Sequence, residues 1–200
     1  MYVTRKTINL SILLSLALFF SLLPLWKALG SYLNPVFLLV VWGCITGGFF
    51  FLMLLIRGEH IQVPPKAVLG MMAIYSFLLM VLLFSRPAQQ EYNRINLIPL
   101  STIKLFLSGR SLFLPAFYNL AANILLFVPF GVYTLWAKPL SVFKKWKLIL
   151  VPAMIICFIE SAQHITGRGS LDIDDLILNL SGVFLGYLLY PLAARVMVKA

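Results

Sequence analysis

The feature that most constrains this chain is a run of twenty residues, Thr7–Trp26, "TINLSILLSLALFFSLLPLW", which contains no charged side chain and follows directly on Arg5 and Lys6. About 20 apolar residues is the length at which a helix crosses the hydrocarbon core of a bilayer. The run is longer than a signal-peptide core and lacks a small-residue cleavage pattern, so it reads as a retained span. Similar runs recur, and spans are expected at about 8–26, 34–56, 67–85, 116–136, 147–166 and 172–192. Hydrocarbon offers no water to backbone N–H and C=O groups, and none of the runs alternates with the period of a barrel strand. The expected fold class is therefore all-α, a polytopic integral membrane helix bundle with about six transmembrane helices, residues 1–200 forming a single membrane domain.

With 62% hydrophobic and only 11% charged residues, the chain lies outside the range of soluble globular proteins. Its net charge of +10 sits mainly between the apolar runs, where anionic lipid head groups attract it, so membrane lipids rather than nucleic acid are the expected partners. With the amino terminus inside, Arg5, Lys6, Arg57, Lys66, Lys138, Lys144, Lys145, Lys147, Arg195 and Lys199 fall on inner segments. Lys27, Arg86, Arg94, Lys104, Arg110 and Arg168 fall on outer ones. The excess on the first side, concentrated in "KPLSVFKKWK", places both termini in the cytoplasm of a multi-pass plasma-membrane protein. Cys44 and Cys157 lie inside apolar segments without C-x-x-C spacing and read as packing residues. Trp26, Trp136, Tyr187 and Tyr190 read as interface-belt aromatics. Between the third and fourth spans, the outer loop 86–115 is too polar to cross but carries Ile95, Leu97, Ile98, Leu100, Ile103, Leu105 and Phe106, which suits an interfacial or re-entrant segment.

The stretch "IESAQHITGRGSLDIDDLILN", residues 159–179, contains four of the six acidic residues: Glu160, Asp172, Asp174 and Asp175. At helical spacing Glu160, Gln163, His164 and Gly167 share one face, and Asp172, Asp175, Asn179, Gly182 and Gly186 share another. Asp174 lies opposite the second stripe, where the ordinary reading is compensation of the helix dipole. Asn119 and Asn123 form a third polar pair. Buried amides and carboxylates are costly without partners, so Asn119, Asn123, Glu160, Gln163 and Asn179 are expected to face one outward cleft, with Arg94, Arg110 and Arg168 near it. Glu160, Asp175 and Asp172 are the candidate acid, base or nucleophile-orienting groups. Carboxylates with one imidazole also suit a divalent cation at Glu160, His164, Asp172 and Asp175, but the chain calls for no cofactor, and no zinc-protease, serine-hydrolase or nucleotide-binding motif occurs.

The blocks "RINLIPLSTI", "NLAANILLFVPFGVY" and "ESAQHITGRGSLDIDDLILNLSGVFLGY" resemble the ordered motifs of the VanZ-like family of bacterial membrane proteins, over about residues 94–188. The resemblance implies that Arg94, Asn96, Pro99, Asn123, Phe127, Pro129 and Gly131 are signature positions, as are Glu160, Gln163, Arg168, Asp172, Asp175, Asn179 and Gly182. It also implies a part in glycopeptide resistance of the teicoplanin type, without remodelling of the wall precursor and without a settled reaction. Arg94, Asn96, Asn123, Gln163, Arg168 and Asn179 are then the candidate ligand-binding residues, and a lipid-linked cell-wall precursor or a lipoglycopeptide the candidate ligand. Three readings fit these residues: a membrane enzyme acting on a lipid or precursor head group, a non-catalytic binder, and a structural polar core.

Overall fold

The computed structural model describes residues 2–30, 36–84, 95–108, 113–138 and 144–200. Along these the helices are α1 Arg5–Ser21, α2 Leu23–Gly30, α3 Val36–Arg57, α4 Pro65–Phe84, α5 Ser101–Leu107, α6 Phe113–Leu125, α7 Val128–Ala137, α8 Lys147–Ile165 and α9 Ile173–Val196. Four short strands accompany them: β1 Ile61–Val63, β2 Ile95–Asn96, β3 Leu171–Asp172 and β4 Met197–Lys199. Four stretches, Pro65–Phe84, Asn119–Ala137, Lys147–Ile165 and Ile173–Val196, are long and apolar enough to cross a membrane. Their outward faces are apolar as well. Phe158 is 74% exposed, Ile165 82% and Leu188 76%, a distribution that suits lipid and would be an aggregation hazard in water.

Two of the expected spans are broken, and proline explains both breaks. A proline has no N–H to give the carbonyl four residues earlier and its ring crowds that carbonyl. Pro24 sits just inside α2, and the chain turns at Leu22 between α1 and α2. Pro129 sits just inside α7, and the helix expected at 116–136 turns at Leu126 and Phe127, whose N–H groups bond back to Ala122 O and Ile124 O.

The chain divides into two compact units, Met1–Leu82 with Pro191–Ala200, and Leu83–Tyr190. In the first, α1 buries a stripe of small polar residues, Thr7, Ser11 and Ser15. Ser11 and Ser15 satisfy their hydroxyls on the carbonyls of Thr7 and Ile12, each 2.8 Å away, and Thr46 of α3 donates to the Ser15 hydroxyl at 3.1 Å. Small hydroxylated side chains let two apolar helices approach closely without leaving a polar group unsatisfied. β1 and β4 pair in parallel with Ile61 opposite Met197, Gln62 opposite Val198 and Val63 opposite Lys199.

The same unit contains a carboxylate that sequence reading passed over. Glu59, 2% exposed, accepts from the Thr4 backbone N–H and hydroxyl and from Arg57 Nε, each at 3.0 Å. Thr4 is itself the N-cap of α1, so Glu59 ties the start of α1 to the end of α3. Burial by itself raises the Glu59 carboxyl, but the bonds from the Thr4 backbone, Thr7, Arg57 and the Thr4 hydroxyl outweigh it and bring the group from an ordinary 4.5 to about 2.

A folded-state value below the unfolded one stabilises the ionised form, so this contribution is fully present above about pH 4.5 and is lost as the pH falls toward 2. Amide hydrogen exchange over residues 2–12, corrected for the intrinsic rate, is expected to accelerate through that window. Glu59→Gln is expected to show fast exchange at neutral pH already. Protection at residues 2–12 that is unchanged by acid, or by Glu59→Gln, would refute this role.

Candidate functional site

The site residues lie in the second unit, and the contact that positions them is a backbone approach. A Cβ placed on Gly182 of α9 would stand 2.1 Å from Ile124 O, and one on Gly186 would stand 2.3 Å from Val128 O. From the other side, a Cβ on Gly131 of α7 would stand 2.1 Å from Val183 O. Only hydrogen fits at these three positions, so α9 lies directly on the backbone of α6 and α7. Such an approach brings short polar side chains on the facing turns within hydrogen-bond reach.

One turn above Gly182 on the same face, Asn179 donates from Nδ2 to Glu160 Oε1 of α8 at 3.1 Å. Another turn above, Asp175 Oδ1 accepts from Asn123 Nδ2 of α6 at 2.6 Å. The stripe read from the sequence is thus real, but its turns face different helices. Glu160 is 6% and Asn179 2% exposed. A hydrogen bond to a charged group contributes about 1.5–3 kcal/mol, and removing one partner of a buried pair leaves the other without compensation. Asn119, one turn from Asn123, makes no hydrogen bond to a described residue.

Pro152, inside α8, leaves the Leu148 carbonyl without its helical donor. The Tyr187 hydroxyl of α9 supplies one at 3.0 Å. This corrects the interface-belt reading of Tyr187, whose hydroxyl is committed between helices. Trp136 is corrected too, because it is buried at 5% exposure.

At its other end α8 stops at Gly167, with φ +64, a conformation that glycine adopts without strain. Arg168 N and Gly169 N turn back onto Gln163 O at 2.8 and 3.1 Å. The Gln163 side chain, 2% exposed, donates to Leu83 O at 2.9 Å, satisfying one of the last carbonyls of α4. Gln163 therefore acts on backbone at both ends. Arg168 has an exposed side chain at the end of α8. Arg94 and Arg110 lie outside the described residues.

Asp172 and Asp174 form a separate group. Strands β2 and β3 pair in parallel, with Ile95 opposite Leu171 and Asn96 opposite Asp172. Asn96 Nδ2 donates to Asp172 Oδ1 at 3.0 Å, to Ser101 Oγ at 2.7 Å and to Thr102 Oγ1 at 3.1 Å. Thr102 donates its hydroxyl to Asp172 Oδ2 at 2.6 Å. Asp172 Oδ1 also accepts from Asp174 N at 2.9 Å, in the manner of an N-cap for α9.

Asp174 is fully buried at 0% exposure and accepts three backbone N–H groups of the α5 amino terminus: Leu100, Thr102 at 2.8 Å and Ile103 at 3.1 Å. Sequence reading treated it as a dipole-compensating residue of its own helix. The missed signal is that "LSTIK" opens a helix with no acid in its first turn and with Leu100 at the cap, where no side-chain cap bond forms.

Among the described residues, no three of the His, Cys, Asp and Glu side chains gather as a metal-holding group. The four groups that ligand chemistry allowed, Glu160, His164, Asp172 and Asp175, are thus not assembled as one. Two buried polar atoms have no hydrogen-bond partner, Asn179 Oδ1 and His164 Nδ1. Asn179 Oδ1 belongs to the amide that holds Glu160, and His164 lies one turn from Glu160 on α8. Chemically, the arrangement offers oriented carboxylates, each fixed by an amide from another helix, beside acceptors without donors.

The family model described as VanZ/LLP1 matches residues 68–194, more than half of the chain and reaching from α4 through nearly all of α9. No curated protein and no solved structure matches it.

Gly182→Ala is expected to destabilise the fold by about 1–3 kcal/mol, because the added methyl meets a backbone oxygen that has no room to move. Gly47→Ala, on α3 with nothing within 4 Å of the added Cβ, is the matched control. Thermal unfolding in detergent, read beside the yield of folded protein, checks this. Equal midpoints for the two variants would show that the close approach is not needed.

Proposed function

The chain belongs to the VanZ/LLP1 family, and on that premise we propose that it is a multi-pass protein of the bacterial plasma membrane that contributes to glycopeptide resistance of the teicoplanin type. It crosses the bilayer about six times with both termini in the cytoplasm, and it acts through an outward polar cleft on a lipid-linked or lipid-tailed envelope ligand. Support for the orientation comes from the basic residues of "KPLSVFKKWK" and the amino terminus.

The observation that carries the binding reading is the unpaired Asn179 Oδ1 beside Glu160. Buried acceptors are almost always satisfied, and an exception inside a polar cluster is where a ligand donor is accommodated. Hydroxyl, amide and ammonium groups of an amphiphile's head are such donors. Glu160 and Asp175 are the groups that would exchange a proton with it, and Asn123 and Asn179 orient them. Arg94 and Arg168 would bind phosphate on the same head group.

A second reading, a polar core that serves only assembly, is favoured by the bonding of Glu160 and Asp175 to helix neighbours. The two differ in what substitution does. Under the binding reading, Glu160→Gln and Asp175→Asn abolish resistance while the amount of folded protein in the membrane stays near normal. Under the assembly reading, abundance falls and resistance per molecule is kept. Full resistance in both variants at normal abundance would sink the assignment of these carboxylates.

Asp175→Glu separates catalysis from binding. A displacement of about 1 Å costs a catalyst roughly a hundredfold in rate, whereas a binder loses far less. Turnover of a labelled lipid-linked precursor by purified wild-type protein, lost in Asp175→Glu, would establish the enzyme. Unchanged substrate with copurifying lipid would establish the binder.

A further inference from the structure

We propose that Ile95–Leu107 is a membrane-surface element, in which β2 and α5 lay their apolar side chains into the boundary between head groups and acyl chains and Asp174 holds them there. Four observations lead to this.

The segment is fastened to the point where a membrane-crossing helix begins. Its strand pairs with β3, and Asp174, in the first turn of the 24-residue α9, takes three N–H groups of the α5 amino terminus. A helix of α9's length and apolarity leaves the hydrocarbon near its ends, so whatever is tied to its first turn lies at interface depth.

Next, the segment faces outward with apolar side chains. Ile98 is 71% exposed, Leu97 65% and Leu107 73%, with Ile95, Leu100 and Leu105 between 44% and 59%. Large apolar groups concentrated in thirteen residues and left uncovered are costly in water and favourable against lipid.

Its charge also fits. Residues 95–107 contain no acid and one exposed cation, Lys104, which suits anionic head groups.

Finally, the backbone is prepared for a poorly hydrated place. A seven-residue helix is marginal in water by itself, and its first N–H groups are its chief liability away from water. Here the Asp174 carboxylate satisfies Leu100, Thr102 and Ile103, and Asn96 and Asp172 satisfy the Ser101 and Thr102 hydroxyls. A segment resting in bulk water would not need these groups satisfied by protein.

The inference rests on the membrane character of the chain and is independent of which ligand the Glu160 and Asp175 pairs take. To test it, single cysteines are introduced as Ile98→Cys, Leu107→Cys and, as a control in a polar connection, Lys138→Cys. The background is the full chain with Cys44→Ser and Cys157→Ser. Each is labelled with a small fluorophore and reconstituted into phosphatidylcholine–phosphatidylglycerol vesicles. The expected result is that lipids carrying a nitroxide near the glycerol backbone quench the labels at 98 and 107 several-fold more than aqueous iodide does, with the order reversed at 138.

Iodide quenching at 98 and 107 equal to that at 138 would place the segment in water and overturn the proposal. Labels shielded from both quenchers but close enough to one another for energy transfer would mean that a second copy of the chain covers this face, which also overturns it. The anchoring role has its own readout. Asp174→Asn is expected to speed amide exchange over residues 100–107 by about tenfold, as loss of a helix cap does. Unchanged exchange there would remove Asp174 from the account, while the quenching data would still decide where the segment lies.

Discussion

Everything at the candidate site depends on α9 lying directly against the backbone of α6 and α7. Gly131, Gly182 and Gly186 leave no space for a single extra carbon there. At such a separation short side chains such as Asp and Asn bridge the gap, whereas at an ordinary helix spacing they would stop short of each other. The Asn123 to Asp175 bond is the direct result. Glu160, whose side chain is longer by one methylene, reaches Asn179 from α8. Apolar helices gain little from association in lipid, so close packing and polar pairing together hold this arrangement.

A second theme is that freed backbone groups are met by side chains from elsewhere. Pro152 opens a carbonyl at Leu148 and Tyr187 fills it. α4 ends with an open carbonyl at Leu83 and Gln163 fills it. The start of α5 has no capping side chain of its own and Asp174 serves instead. In each case the donor or acceptor comes from a distant part of the chain, which makes these bonds tertiary cross-links as well as caps. Where water is scarce, an unmet backbone group costs more than it does on a soluble protein, and that selects for such arrangements. Glu59 does the same for the start of α1 in the other unit.

The acids gathered in one short stretch of sequence therefore divide by task. Asp172 and Asp174 organise β2 and α5, while Glu160 and Asp175 pair with amides between helices. Neighbours in sequence part company because successive residues of a helix point about 100° apart. Asp174 and Asp175 are the clearest instance, one turned toward α5 and the other toward α6.

What the sequence determined by itself was everything that follows from local composition and period: uncharged apolar runs of spanning length, prolines that interrupt two of them, polar stripes on α8 and α9, and the small-residue face of α9. These are properties of one segment and the solvent it needs, so they can be read without knowing its neighbours. The tertiary structure alone decided partnership: that Gln163 serves a backbone carbonyl rather than a ligand, that Asp174 caps a helix some seventy residues away, and that Asn179 keeps one acceptor open beside Glu160. Hydrogen bonds across such distances depend on where separate helices come to rest against one another, and helical period within a single segment carries no record of that.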